Sequence, residues 1–170
     1  MNKLKEKHNL SDYIYWNLFI LIPMLLACFT IAQYSSKWVF IYLIVFVGLF
    51  VIIEYRFFCT HCPHYCNGSS TTNCIFLWRM PKFFKRRPYP LNKLDLTIVI
   101  AGFLIIIFFP LYWLLKSWQL CTVYFLSWIV FVMTMKRYEC MRCIYFDCPS
   151  NTVEERVKKE YLNMNKRGDR

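Results

Sequence analysis

Four runs of the chain carry no charged side chain over a length that spans a bilayer: Tyr13 to Ala32, Trp38 to Ile53, Leu96 to Leu115 and Trp118 to Met135. At a rise of about 1.5 Å per residue, roughly 18–20 residues cross a hydrocarbon layer about 30 Å thick, and a helix satisfies its own backbone there. The pattern predicts four transmembrane helices. The first is long for a signal sequence and is followed by no small-residue cleavage site before Lys37, so it is expected to be retained. The connections 33–37 and 116–117 hold one lysine each and predict tight helical hairpins. Pro23 and Pro110 predict kinks in the first and third helices.

The chain therefore divides into an N-terminal tail (1–12), a first transmembrane hairpin (13–55), a Cys-rich and basic loop (56–95), a second hairpin (96–135), a second cysteine motif (136–149) and an amphipathic helical tail (150–170). The predicted class is all-α: a polytopic membrane protein of two pseudo-repeated hairpins with a Cys-rich cytoplasmic cap.

Composition agrees. Of 170 residues, 58% are hydrophobic and 20% aromatic, yet 21 Lys and Arg stand against 10 Asp and Glu. A soluble domain of this size lacks the interior for so much apolar side chain, and a disordered basic tail would not hold so many aromatic rings. Only two of the 21 basic residues, Lys37 and Lys116, lie in the short connections. The positive-inside rule then predicts an inner cell membrane location with both termini and the central loop in the cytoplasm. Glu54, at the end of the second span, is expected to form an interfacial ion pair with Arg56.

The segments leaving the second and fourth spans are alike. Arg56-Phe57-Phe58-Cys59-Thr60-His61-Cys62 and Arg137-Tyr138-Glu139-Cys140-Met141-Arg142-Cys143 both read Arg-aromatic-x-Cys-x-x-Cys. If the second and fourth helices pack together, the two motifs meet at one rim. Seven of the nine cysteines fall on that face. A reducing cytoplasm disfavours structural disulfides, so metal ligation is the leading expectation. The candidate ligands are Cys59, Cys62, Cys66, Cys74, Cys140, Cys143 and Cys148, with His61 and His64 interleaved.

Two groupings fit. In one, Cys59, Cys62, Cys66 and Cys74 close a site, and Cys140, Cys143 and Cys148 recruit His61, His64 or Asp147. In the other, the two Cys-x-x-Cys pairs share a site. Zinc suits tetrahedral thiolate ligation, while Cys62-Pro63 and Cys148-Pro149 echo iron-sulfur motifs, so the cofactor is either zinc or an iron-sulfur cluster. Arg56 to Pro63 resembles the cysteine motifs of membrane iron-sulfur electron-transfer proteins. That resemblance implies cluster ligation by Cys59 and Cys62, although those proteins usually carry a wider Cys-x3-Cys-Pro and an added ferredoxin module. A structural metal cap, thiol-disulfide exchange, soft-metal handling and a non-catalytic assembly role are the competing functions. Cys28 and Cys121, inside spans, are expected to be apolar fillers.

The segment from Trp78 to Pro90 alternates bases, aromatics and prolines. It predicts an anchor to anionic lipid through Lys82, Lys85, Arg86 and Arg87, with Trp78, Phe83, Phe84 and Tyr89 entering the interface. Its tether between two spans disfavours nucleic acid. Asn67-Gly68-Ser69 fits the glycosylation pattern but faces the wrong compartment. Thr152 and Glu155 predict a capping box for a tail helix, backed by Glu154–Lys158 and Glu155–Lys159 pairs, whose apolar face over 152–164 is a candidate protein-docking surface. No Ser/His/Asp set, paired carboxylates or phosphate loop occurs, which disfavours a hydrolase or kinase.

Overall fold

The computed structural model describes residues 4–5, 8–66, 70–87, 91–146, 148 and 150–168, without the side chains of Pro63, Cys66, Asn73 and 165–168. It is mostly helical. Four helices, Leu10–Ala32, Ser36–His61, Lys93–Leu114 and Trp118–Cys140, are long and apolar enough to cross a membrane. The helix α1 (Leu10–Ala32) is followed by α2 (Ser36–Gly48), which continues as a π-helical stretch, Leu49–Phe58. After the loop come α3 (Lys93–Phe108), the short α4 (Leu111–Leu114) and α5 (Trp118–Met135), which also ends in a π-helical turn, Lys136–Cys140. The tail forms α6 (Glu155–Gly168). Both segments that lead into Cys-x-x-Cys thus leave their spans through a widened helix.

Proline acts differently in the two hairpins. Pro23 is buried inside an uninterrupted α1, whereas Pro110 separates α3 from α4. Pro110 has no N–H to give, and α3 stops two residues before it. On the outward faces stand large apolar residues such as Leu18, Ile22, Phe40, Ile44, Leu126 and Ile129. The interior holds Trp16, Tyr42, Tyr124 and Trp128. Two of these rings have polar partners, Trp16 through Glu139 and Tyr124 by donating its hydroxyl to the Ile107 carbonyl at 2.9 Å, while the Tyr42 hydroxyl and Trp128 Nε1 make no hydrogen bond among the described residues. At the hairpin ends, Lys116 Nζ stands 4.0 Å from the centre of the Tyr34 ring, joining the two short connections.

α1 lies against α2, α4 and α5, and α3 packs along Leu49–Phe58. The second and fourth spans therefore do not form the extensive pair that the motif comparison anticipates. A loop joins them instead. Residues 71–81 form a small antiparallel pair, β1 (Thr71–Asn73) and β2 (Trp78–Pro81), a departure from the all-α expectation. Its register pairs Thr71 with Pro81 and Asn73 with Trp78, so two residues of β2 face one of β1. This bulge places Arg79 at φ 55°, a left-handed conformation that costs an L side chain energy. The tip between the strands turns into the bundle. Phe76 packs on Phe50 of the second span and Phe131 of the fourth, at ring separations of 5.9 and 6.4 Å. Buried Thr72 holds the tip by donating its hydroxyl to the Leu77 carbonyl at 2.8 Å.

The basic stretch after β2 is also less free than its composition suggests. Phe84 packs on Tyr55 at 5.5 Å, with the Arg56 guanidinium 4.9 Å above it. Trp78 meets Tyr13. Among the described aromatic residues of this stretch, Phe83 stands furthest out, 70% exposed. Tyr89 and Asn67 to Ser69 lie outside the described residues. In the tail, Thr152 does not begin the helix; its N–H donates to the Cys140 carbonyl, and α6 starts at Glu155. Lys158 pairs with Glu155 rather than Glu154 and reaches over the Phe146 ring.

Candidate functional site

Each cysteine is delivered by a short, sharply turned segment. Cys59 ends the widened second span and starts the 3-10 turn Cys59–His61; a second turn, Pro63–Cys66, follows. Cys74 starts the inserted hairpin tip. Cys140 closes the π-helical end of the last span, and Cys143 and Cys148 lie in the irregular segment before α6. A small cavity of about 10 Å³, room for one atom-sized occupant, is lined by Cys59, Cys62, Cys74 and His64 together with Tyr65 and Leu77. The second motif reaches this cluster through Cys143, whose Sγ is 4.0 Å from His64 Nε2.

The sulfurs share one local geometry. The backbone two residues downstream favours the anion at four of them, through His64 at Cys62, Phe76 at Cys74, Tyr145 at Cys143 and Ser150 at Cys148. The Tyr145 N–H lies 3.4 Å from Cys143 Sγ. A turn that aims a donor at sulfur favours the thiolate over the thiol. Cys74 goes furthest. The Cys59 thiol donates to it, three backbone N–H groups add to the effect, and its pKa is lowered to about 7. Burial acts the other way at the remaining three. It raises Cys62, with Cys74, Cys143 and Cys148 adding their charge, and it raises Cys143 to about 11. Cys148 is raised by burial as well. Donors arranged for anions therefore sit where several uncompensated anions cannot coexist.

Acidic groups at the span ends hold the cluster in place, and sequence reasoning passed over most of them. Asp95, 2% exposed, accepts from Arg87 Nη1 at 2.8 Å and stands 3.0 Å from His61 Nε2. His61 is thereby committed through Nε2, so a metal bond from it would have to use Nδ1. The Arg87 guanidinium also faces the Phe57 ring. Glu139 accepts from Lys5 Nζ at 3.0 and 3.2 Å and from Trp16 Nε1 at 3.1 Å. The N-terminal segment, read as a tail, docks on the second motif: the Lys5 N–H donates to the Arg142 carbonyl at 2.7 Å. His8 packs its ring on His64 at 4.4 Å and stays neutral, its pKa held down to about 3, chiefly by burial and then by His64 and Lys5. In a chain with only 10 acidic residues, one at the border of each span was the available signal.

Glu54 is not paired with Arg56. Arg56 lies over Phe84, and Glu54 instead lines a cavity between the spans. Cys28 and Cys121 pack at the edge of the main core, as fillers do.

Among the described residues, no group of three or more His, Cys, Asp or Glu donors stands close enough to hold one metal ion. The Cys66 side chain and Asp147, both among the expected ligands, lie outside the described residues. No known family, curated protein or solved structure matches this chain.

Proposed function

We propose that this is a multi-pass membrane protein whose two cysteine motifs jointly hold a soft metal centre, zinc or an iron-sulfur cluster, at the membrane edge. The observation that carries the reading is that Cys59, Cys62, Cys74 and His64 line one small cavity, with Cys143 Sγ 4.0 Å from His64 Nε2 and the Tyr145 N–H directed at that sulfur. Buried thiolates that repel one another are stabilised by a cation that neutralises them all, and hydrogen bonds to the sulfurs are a regular accompaniment of thiolate–metal bonding. Cys59, Cys62 and Cys74 form the first donor set, with Cys66 beside them in sequence; Cys140, Cys143 and Cys148 form the second, with His64 between them. Bound zinc would fold the cap, and a bound cluster would carry an electron. Asp95 and Glu139 orient the surrounding chain in either case.

Anaerobic purification followed by element analysis and a visible spectrum tests this. Iron with absorbance near about 400 nm supports the cluster, and stoichiometric zinc supports the structural centre. Neither metal, with all the rim thiols titratable, overturns the proposal.

One observation favours a second reading. The Cys59 thiol donates to Cys74, and a thiol pair in contact, one member of lowered pKa, is suited to thiol-disulfide exchange. Equilibration with glutathione redox buffers and mass mapping of a Cys59–Cys74 disulfide separates it from metal ligation.

The charge bias supports a cytoplasmic cysteine face, both termini included, in the inner cell membrane. An impermeant thiol reagent on intact cells should leave Cys59, Cys62 and Cys74 unlabelled. Anionic lipid at the same face remains part of the reading, centred now on Lys85 and Arg86, which are exposed beside Phe83. Lys82 sits over the Tyr65 ring and Arg87 on Asp95. Paired Lys85→Glu and Arg86→Glu changes should lower the preference for anionic lipid in nanodiscs by about tenfold or more. The apolar side of α6 is partly taken up by the Tyr161–Phe146 contact, which leaves Leu162 and Met164 for a protein partner.

A further inference from the structure

Glu54 lies within electrostatic reach of Cys59 and Cys74, yet neither cysteine lines the space it faces. It lines a cavity of about 270 Å³ walled by the rings of Phe50, Phe58, Phe76, Phe103 and Phe131. Among the described residues it has neither an ion pair nor a hydrogen bond. Its carboxylate is half-buried and opens on the cavity, so a donor entering that space can reach it. The remaining polar groups on the wall are Lys136 and Ser150.

Charge narrows what fits. An anion would face Glu54, and a cation would face Lys136 in a chain of net charge +11. A neutral donor offends neither. Position narrows it further. Glu54 belongs to the second membrane-length helix and Val132 to the fourth, and Lys136 and Ser150 close the wall, so the cavity lies between helices near their cysteine-bearing ends, within reach of the head group of a molecule held in lipid. Its volume falls just below the usual range for small-molecule sites, about 300–1,000 Å³, which suits a head group rather than a whole lipid.

We propose that this cavity binds the neutral, hydroxyl-bearing head of a membrane-soluble amphiphile, the O–H donating to Glu54 and the apolar body resting among the phenylalanines. An aromatic diol and a glycerol lipid share that chemistry. The inference does not depend on metal at the cysteines.

The test uses the full chain in nanodiscs and three probes: decylhydroquinone, its dimethyl ether, and monodecanoylglycerol. Saturable binding of one probe per chain is expected for at least one of the two hydroxyl compounds, and which one binds identifies the source. If it is the hydroquinone, the ether should bind at least about tenfold more weakly, the loss expected when a hydrogen bond to a charged group is removed. Glu54→Gln should weaken the bound probe by a similar factor when the two proteins are compared at equal metal content. Absence of binding by both hydroxyl probes overturns the proposal, as does ether binding equal to the diol or an unchanged affinity in Glu54→Gln. Should that variant not fold, the ether comparison, or for the glycerol compound its dimethyl ether, decides on the unaltered chain. Metal analysis of the same sample keeps failure of this site distinct from failure of the metal reading.

Discussion

Trp16, in the first span, donates its indole N–H to the Glu139 carboxylate at the end of the last span, 3.1 Å away. Lys5 completes the arrangement, so one carboxylate 7% exposed ties the N-terminal segment, the first helix and the second cysteine motif together. Removing the acceptor leaves the Trp16 indole N–H unsatisfied, while Lys5 keeps Asp12 at 3.0 Å. Glu139→Ala should destabilise the protein by about 1–3 kcal/mol, the cost of an unsatisfied buried donor. Glu139→Gln, which keeps an oxygen for Trp16, should cost less. Denaturant unfolding in micelles followed by near-ultraviolet circular dichroism checks both.

The cysteines should separate into two groups by metal content. Cys62→Ser, Cys74→Ser, Cys143→Ser and Cys148→Ser are each expected to abolish stoichiometric metal, while Cys28→Ser and Cys121→Ser retain it. Equal retention by both groups would defeat the metal assignment.

Acid should weaken the fold through His8. Its folded pKa, about 3, lies below the ordinary 6.5, so the unfolded chain takes up a proton in that interval and the native chain does not. Stability from this residue is complete above about pH 6.5 and declines as the pH falls toward 3. His8→Gln should flatten the slope of melting temperature against pH over that window.

Arg79 carries a local conformational cost at φ 55°. Arg79→Gly removes the Cβ clash at some expense in unfolded-state entropy, and a gain of about 0.5–1 kcal/mol is expected. Arg79→Val should lose stability, since a β-branched residue tolerates that region least. Thermal unfolding of the two variants should move in opposite directions.

Four spans were readable because a bilayer-length run without charge has few other physical explanations. The cysteine cluster was readable in membership and less so in arrangement. Its organising element, the 71–81 hairpin, is too short to show periodicity, and Ile75-Phe76-Leu77 looks like any apolar patch until Phe76 is placed between Phe50 and Phe131. Glu54 illustrates the opposite error. Adjacency to Arg56 suggested a pair, yet on a helix residues two apart face different ways, and Arg56 found an aromatic ring instead. Asp95 and Glu139 were hidden by long-range partnership, since nothing local announces that Arg87 or Lys5 will come to them.

The docking of Lys5 onto the second motif has a consequence in time. Its side-chain partner, Glu139, lies 134 residues later in the chain. During synthesis the first hairpin, Cys59, Cys62 and Cys74 all emerge before the residues that seal them in. The first cysteines should therefore pass through an interval in which they are made but unenclosed, open to whatever delivers their metal, and closed off only when the final fifth of the protein arrives.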